Sequence, residues 1–283
     1  MSNILKAKIG FGTYKILDQE KMNNAIKHAI ECEYGFIDTA KLYSTEPLVG
    51  EALRKLKSEN SNFKMPIIQS KIWPSDFKNG VEYEVRESLK RLGLETIDCY
   101  MLHRPHVDNT MNVKAWKELI ECQKKGLVKV IGVSNFEPDM IRILYNETKV
   151  YPAVVQNEAS LTYIRRDRMV YCNEHNIVMQ GWRALGNPKV NFSNPLVIEM
   201  AKKYNCSIAQ LLIAYSIGQG FCPVVRSDIE SEIKENVKAI DIKISPEDLF
   251  ILETKCNTHK STTHNECDSY ANLALDDDWY KTN

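Results

Sequence analysis

Long apolar runs are missing from this chain of 283 residues, and so is any surplus of one charge: 37 Lys and Arg stand against 37 Asp and Glu. The first absence argues against a membrane-spanning helix. The second removes the electrostatic case for a nucleic-acid or anionic-membrane partner. The opening stretch, Met1 to Lys6, has no apolar core of a secretory signal, so a cytoplasmic location is expected. Eight cysteines are too dilute for a disulfide scaffold, and most lie within strand or helix patterns, as free thiols in a reducing compartment do. Gly10-Phe11-Gly12 lacks the later glycine and the acidic residue of a dinucleotide fingerprint, which argues against a doubly wound open sheet. Ligands for a metal centre are scarce as well. A metal-dependent barrel hydrolase needs carboxylates and histidines at several strand ends, and only Asp38 and His103 qualify. Cys256, His259, His264 and Cys267 are zinc-ligand types, but the loop between the two pairs is too short for a finger, so no metal is expected there.

What is present is a regular alternation. Hydrophobic residues make up 43% of the chain, enough for a sizeable core. Short apolar runs at Lys8–Tyr14, Phe36–Ile37, Ile67–Lys71, Ile97–His103, Leu127–Val133, Ala153–Gln156, Ile177–Met179 and Phe221–Val225 read as strands. Helical spacing of apolar residues separates them, as in Met22, Ala25, Ile26 and Ala29, or Val81, Val85, Leu89 and Leu92. Strand and helix in strict succession imply a parallel sheet, and eight units imply closure: an α/β chain forming a single-domain (β/α)8 TIM barrel. From about Cys256 the helical pattern gives way to a polar tail, expected to lie over the active-site face.

In such a barrel the carboxyl ends of all strands converge on one face. Asp38 ends the Phe36 strand and Tyr43 follows in the loop; Lys71 and His103 end the next two strands. Any one of them alone reads as a cap, a packing residue or a satisfied histidine. All four at successive strand ends form a candidate catalytic cluster.

These segments resemble the aldo-keto reductase family over nearly the whole chain. Gly35-Phe36-Ile37-Asp38-Thr39-Ala40 with Tyr43, Glu46, Gly50 and Ala52 follows one family signature. Ile68-Gln69-Ser70-Lys71-Ile72-Trp73 resembles the lysine segment, Leu102-His103-Arg104-Pro105 the histidine segment, and Ile131-Gly132-Val133-Ser134-Asn135-Phe136 a further motif. The resemblance implies a barrel that binds NADP(H), with NAD(H) use possible, and reduces aldehydes or ketones to alcohols. By the same resemblance Ser134, Asn135 and Gln156 hold the nicotinamide carboxamide, and Trp182 stacks on its ring. Arg226, Ser227 and Asn236 form the adenosine-phosphate loop. Gly12, Thr13, Arg183 and Leu185 line the cofactor, while Tyr14, Trp73 and His103 line the substrate pocket. A monomer acting on a small carbonyl compound is expected.

Carbonyl reduction needs a hydride on one face and a proton at the oxygen. Tyr43 is the candidate acid. Lys71 is expected to lower its ionisation, Asp38 to hold Lys71, and His103 to orient the substrate oxygen. Three departures from the family pattern stand out. Arg183-Ala184 replaces a Ser-Pro pair after Trp182, Glu232 stands where an arginine commonly meets the 2′-phosphate, and Glu158-Ala159-Ser160-Leu161 replaces a Glu-Tyr-His-Pro run. The loop from Arg104 to Asn112 is short, which leaves the pocket open. The alternative reading is a cofactor-binding regulatory or redox-sensing subunit on the same fold.

Overall fold

The structure, a computed structural model, describes residues 3–258. Eight strands close in sequence order into one parallel barrel: β1 (Gly10–Gly12), β2 (Ile37–Asp38), β3 (Ile68–Ile72), β4 (Ile97–Leu102), β5 (Val128–Ser134), β6 (Val154–Glu158), β7 (Val178–Trp182) and β8 (Cys222–Val225). β1 pairs with both β2 and β8, which completes the ring. The helices between strands are α1 (Gln19–Glu31), α2 (Glu46–Glu59), α3 (Val81–Leu92), α4 (Asn109–Lys124), α5 (Pro138–Thr148) and α6 (Arg166–Glu174). After β7 come a short α7 (Pro188–Asn191), then α8 (Pro195–Lys203) and α9 (Ile208–Gly218). α10 (Glu230–Val237) and α11 (Pro246–Cys256) follow β8. No helix among the described residues is long and apolar enough to cross a membrane.

The expected alternation is met unit by unit, with differences at the edges. The first strand is confined to Gly10–Gly12 instead of Lys8–Tyr14. Asp38 ends β2 as expected, paired with Gly12 and Gln69. The Phe36 ring packs under Gly10, where an added Cβ would lie 2.3 Å from the ring. α4 starts at Asn109, capped by the Asp108 carboxylate, so the loop after β4 is shorter than expected. α7 was not legible, because four residues carry no helical period. Of the Cys/His set, Cys256 ends α11, with its Sγ 3.7 Å from the Asn194 amide. His259, His264, Cys267 and the rest of the polar tail lie outside the described residues.

The barrel interior is stratified. A 3-10 turn at Asn3–Lys6 brings Ile4 into the amino end, where it packs with Phe36, Cys99, Met101, Val130, Val154, Cys222 and Val224. The layer above is polar: Asp38, Gln69, Gln156 and Gln180, all buried. The larger apolar core lies outside the strands, between sheet and helices. Trp116, Tyr100 and Phe136 are among its fully buried members.

The outward face of β3 anchors the loop that carries Tyr43. Ser70 donates to Glu46 Oε1 (2.6 Å), and Arg91 Nε donates to the other oxygen of that carboxylate (2.6 Å). Glu46 opens α2, where a negative charge meets the positive end of the helix dipole. Gly50 on α2 sits against the carboxyl end of α3: an added Cβ would lie 2.4 Å from Arg91 O and 2.9 Å from Leu92. At an exposed helical site Gly→Ala stabilises by roughly 1 kcal/mol. Here the obstacle is backbone, so Gly50→Ala is expected to destabilise by about 2 kcal/mol, in the range for overpacking. Urea unfolding measures it, and a gain in stability would show that α2 and α3 are not this close.

Candidate active site

Three successive strand ends, those of β2, β3 and β4, place the cluster. Lys71 leaves β3 two residues after Gln69 and points into the barrel, fully buried. Its ammonium donates to both Asp38 oxygens (2.6 and 2.8 Å), to the Thr39 carbonyl (3.2 Å) and to Tyr43 Oη (3.4 Å). Tyr43 ends a 3-10 turn at Lys41–Tyr43. That turn is pinned by Lys41, which pairs with Asp76 (3.0 Å) and Glu84 (2.8 Å). His103 follows β4, its Nε2 at 3.3 Å from Tyr43 Oη. The rings of Tyr14, Tyr43, His103 and Trp73 form one wall, each 5.0–5.3 Å from the next.

A buried ion pair is tenable only when the remaining lone pairs are satisfied. Asp38 meets this condition through amides that cross the barrel. Gln69 Nε2 donates to Asp38 Oδ2 (2.6 Å) and Gln156 Nε2 donates to the same oxygen (3.0 Å). Gln180 closes the network: its Oε1 accepts from Gln69 (2.8 Å) and Gln156 (2.9 Å), and its Nε2 donates to Gln69 Oε1 (3.1 Å). β3 and β7 are opposite strands of the ring, so Gln69 and Gln180 meet across its axis. Sequence reading missed this pair. The available signal was parity: Gln69 and Gln180 stand two residues before Lys71 and Trp182, at inward positions where an apolar residue is the default.

The electrostatics differ from the expectation in one respect. Burial, with the Asp38 carboxylate and then Tyr14 adding to it, pushes the Tyr43 phenol well above its ordinary value. The Lys71 ammonium, paired with Asp38, does not bring the phenol back to its ordinary value. Lys71 itself is lowered by burial, against the opposing pull of Asp38. His103 is pushed well below the usual histidine range by burial, then by Lys71 and Arg104. The imidazole is therefore neutral. Its buried Nδ1 has no hydrogen-bond partner among the described residues. An orphaned N–H costs more than an under-used acceptor, so the proton belongs on Nε2, which then donates toward Tyr43 Oη.

Asp38, Tyr43 and His103 border a cavity of about 300 Å³, the size of a small-ligand site, and Lys71 lies behind them, out of its lining. Of the expected substrate residues, Tyr14, Trp73 and His103 line it. Of the expected cofactor residues, Gly12, Ser134, Asn135, Gln156, Trp182, Arg183, Leu185 and Arg226 line it. Asn135 takes a left-handed backbone (φ 62°), which asparagine tolerates, and its amide donates to His103 O (3.0 Å) and Ser134 Oγ (3.1 Å). Trp182 Nε1 donates to Asn135 Oδ1 (3.1 Å).

Thr13, Ser227 and Asn236 are buried and do not border the cavity. Thr13 Oγ1 donates to the Asp38 carbonyl (3.0 Å), so it braces β2. Ser227 Oγ donates to Glu232 (2.6 Å). Glu232 is thus held by Ser227, while Arg226 pairs with Asp228 (3.5 Å). Arg104, Leu42, Ala184, Gly186, Val224 and Val225 also border the cavity and were not anticipated there. Gln156, Ser134 and Asn135 combine amide and hydroxyl groups suited to a carboxamide. Arg183 and Arg226 supply cations suited to phosphates, so the donor set fits a nicotinamide dinucleotide.

The fold and this donor set define a barrel oxidoreductase, and the comparisons give its family. The sequence profile of the aldo/keto reductase family matches residues 8–256. A 9,11-endoperoxide prostaglandin H2 reductase of Trypanosoma cruzi is 32% identical, covering 88% of this chain and 87% of that one. The methylglyoxal reductase DkgA of Escherichia coli is 33% identical over 86% of each chain. The structure of an aldose reductase from Schistosoma japonicum superposes with a TM-score of 0.81 at 26% identity, covering 89% of each chain. The chain belongs to the aldo/keto reductase family and is an NAD(P)H-dependent oxidoreductase.

Proposed function

We propose that this enzyme reduces small aldehydes or ketones to alcohols, with Tyr43 as the proton donor. One observation carries the reading: the Tyr43 hydroxyl faces the cavity within 3.4 Å of the Lys71 ammonium and 3.3 Å of His103 Nε2. The nicotinamide supplies the hydride when bound. Tyr43 gives its proton to the substrate oxygen as negative charge develops there. His103, neutral and protonated on Nε2, donates a hydrogen bond to that oxygen and orients it. Lys71 stabilises the resulting tyrosinate, and Asp38 keeps Lys71 charged and in place. Gln156, Ser134 and Asn135 would hold the carboxamide, Trp182 the ring face, and Arg183 the pyrophosphate. A relative is named for methylglyoxal, which makes that dicarbonyl a sensible first substrate. The test is turnover of methylglyoxal and a panel of aldehydes and ketones, followed by loss of reduced-nicotinamide absorbance. Tight cofactor binding without turnover of any of them would instead support the regulatory-subunit reading.

The cofactor reading is NADP(H), with NAD(H) also used. Arg226 offers a guanidinium to a 2′-phosphate, but the Glu232 carboxylate occupies the hydroxyl of the adjacent Ser227. Glu232→Arg removes an anion, adds a cation and releases Ser227. It is expected to tighten NADPH by about 1–2 kcal/mol, the worth of a charge-assisted hydrogen bond, and to leave NADH nearly unchanged. Dissociation constants of both cofactors for parent and variant decide it. Equal tightening of the two would place Glu232 away from the phosphate.

A further inference from the structure

We propose that Gln69 and Gln180 are positioning residues that leave the carboxamide end of the cavity able only to accept hydrogen bonds, so that the enzyme selects a pyridine nucleotide carrying an N–H donor. This rests on the reading that Gln156, Ser134 and Asn135 meet the carboxamide, and it specifies what Gln156 does there. Gln156 borders the cavity, whereas Gln69 and Gln180 are fully buried and out of its lining.

Four hydrogen bonds close a ring. Gln69 Nε2 bridges Asp38 Oδ2 (2.6 Å) and Gln180 Oε1 (2.8 Å), and Gln156 Nε2 bridges the same two oxygens (3.0 and 2.9 Å). Asp38, in its ion pair with Lys71, can only accept, so it fixes the sense of the ring. A Gln156 amide turned the other way would set its oxygen against two acceptors. Gln180 cannot turn to relieve that clash, because its Nε2 donates to Gln69 Oε1 (3.1 Å) and the two side chains form a reciprocated amide pair. Both Gln156 amide protons are thereby engaged, and only its Oε1 is left to offer the cavity.

The neighbouring side chains are in the same condition. Asn135 Nδ2 gives its two protons to His103 O (3.0 Å) and Ser134 Oγ (3.1 Å). The Ser134 hydroxyl donates to the Gln156 backbone carbonyl (2.7 Å). Trp182 Nε1 donates to Asn135 Oδ1 (3.1 Å). Every side-chain donor of Ser134, Asn135, Gln156 and Trp182 is therefore engaged inside the protein, and what these residues can still offer a ligand is oxygen lone pairs. A carboxamide brings two N–H groups to such a surface. A methyl ketone in its place brings an acceptor and no donor, which leaves the Gln156 oxygen unpaired. A site built to receive a donor rejects the analogue that lacks it.

The experiment measures by calorimetry the dissociation constants of NADP+, its thionicotinamide analogue and its 3-acetylpyridine analogue, for the parent, Gln180→Leu and Gln180→Glu. The three ligands differ only in the pyridine substituent, so contacts at the phosphates cancel. The thionicotinamide keeps the NH2 group, and the acetyl group keeps the oxygen but has no N–H. The parent is expected to bind the two N–H donors alike and the acetyl analogue more than about tenfold more weakly. Gln180→Leu frees one Gln156 proton and lets the amide pivot toward the ligand, so the acetyl penalty should shrink severalfold. Gln180→Glu keeps the shape. Burial holds its acid neutral, so one oxygen still accepts from Gln69 and Gln156, the other donates to Gln69, and the penalty should stay near that of the parent. The ratio within one protein preparation is insensitive to partial loss of fold. A parent that binds all three alike, a penalty unmoved by Gln180→Leu, or a penalty lost equally in both variants overturns the proposal. No carbonyl substrate takes part, so failure of every aldehyde and ketone to turn over would overturn the carbonyl-reducing reading alone.

Discussion

Tyr43→Phe is expected to lower the rate of carbonyl reduction by about 10²–10⁴-fold, the range for loss of a positioned general acid, while cofactor affinity stays as it was. The substitution removes one oxygen. The ring keeps its contacts with Tyr14 at 5.0 Å and His103 at 5.3 Å, so the wall of the cavity persists. The hydrogen bonds lost are long ones, 3.3 and 3.4 Å, and stability should fall by no more than about 1 kcal/mol. Neutral His103 is not a substitute acid, since burial and two neighbouring cations keep it from holding a second proton. Single-turnover rates and cofactor titration give both readouts. A variant within tenfold of the parent would remove Tyr43 from the acid's role and direct attention to a water.

Lys71→Met is expected to cost roughly 10²–10³-fold in turnover, as removal of one preorganised electrostatic group does. It also leaves the Asp38 carboxylate buried, with the two glutamines as its side-chain donors among the described residues. Breaking one partner out of a buried pair costs about 3–5 kcal/mol, so the single variant should be markedly less stable. Adding Asp38→Asn removes the stranded charge and should restore most of the stability without restoring turnover. That divergence separates the structural from the chemical part of Lys71. The pH profile of alcohol oxidation, which needs the tyrosinate, supplies a third readout. Asp38 already helps raise the Tyr43 phenol above its ordinary value. With the ammonium gone and the carboxylate left, Tyr43 ionises at still higher pH, and the rising limb of the profile must move upward. A profile that stays in place would show that Lys71 does not govern Tyr43.

The behaviour of these residues shows where reading the chain stops. Gln69 and Gln180 are 111 residues apart in the chain. Nothing local distinguishes either from a surface glutamine except its inward parity on a strand. Only barrel closure brings β3 opposite β7 and turns two amides into the support of the Asp38–Lys71 pair. Likewise Glu232 was legible as an anion in a phosphate loop, but not as the acceptor of the Ser227 hydroxyl. The chain direction after β8 decides which neighbour it meets.

What the amino-acid sequence determined by itself is what depends on short range: eight apolar strands, the helices between them, and the identities of the residues at strand ends. Alternation of period and closure by parallel pairing are enough to predict that those ends share one face. The tertiary structure decided what depends on distance and dielectric. It set which polar groups are buried together, which hydroxyls are spent on backbone and which face the cavity. It also set the direction in which Tyr43 and His103 are shifted. Those outcomes are sums over burial and charge from segments far apart in the chain, and a chain position carries neither until the barrel has closed around it.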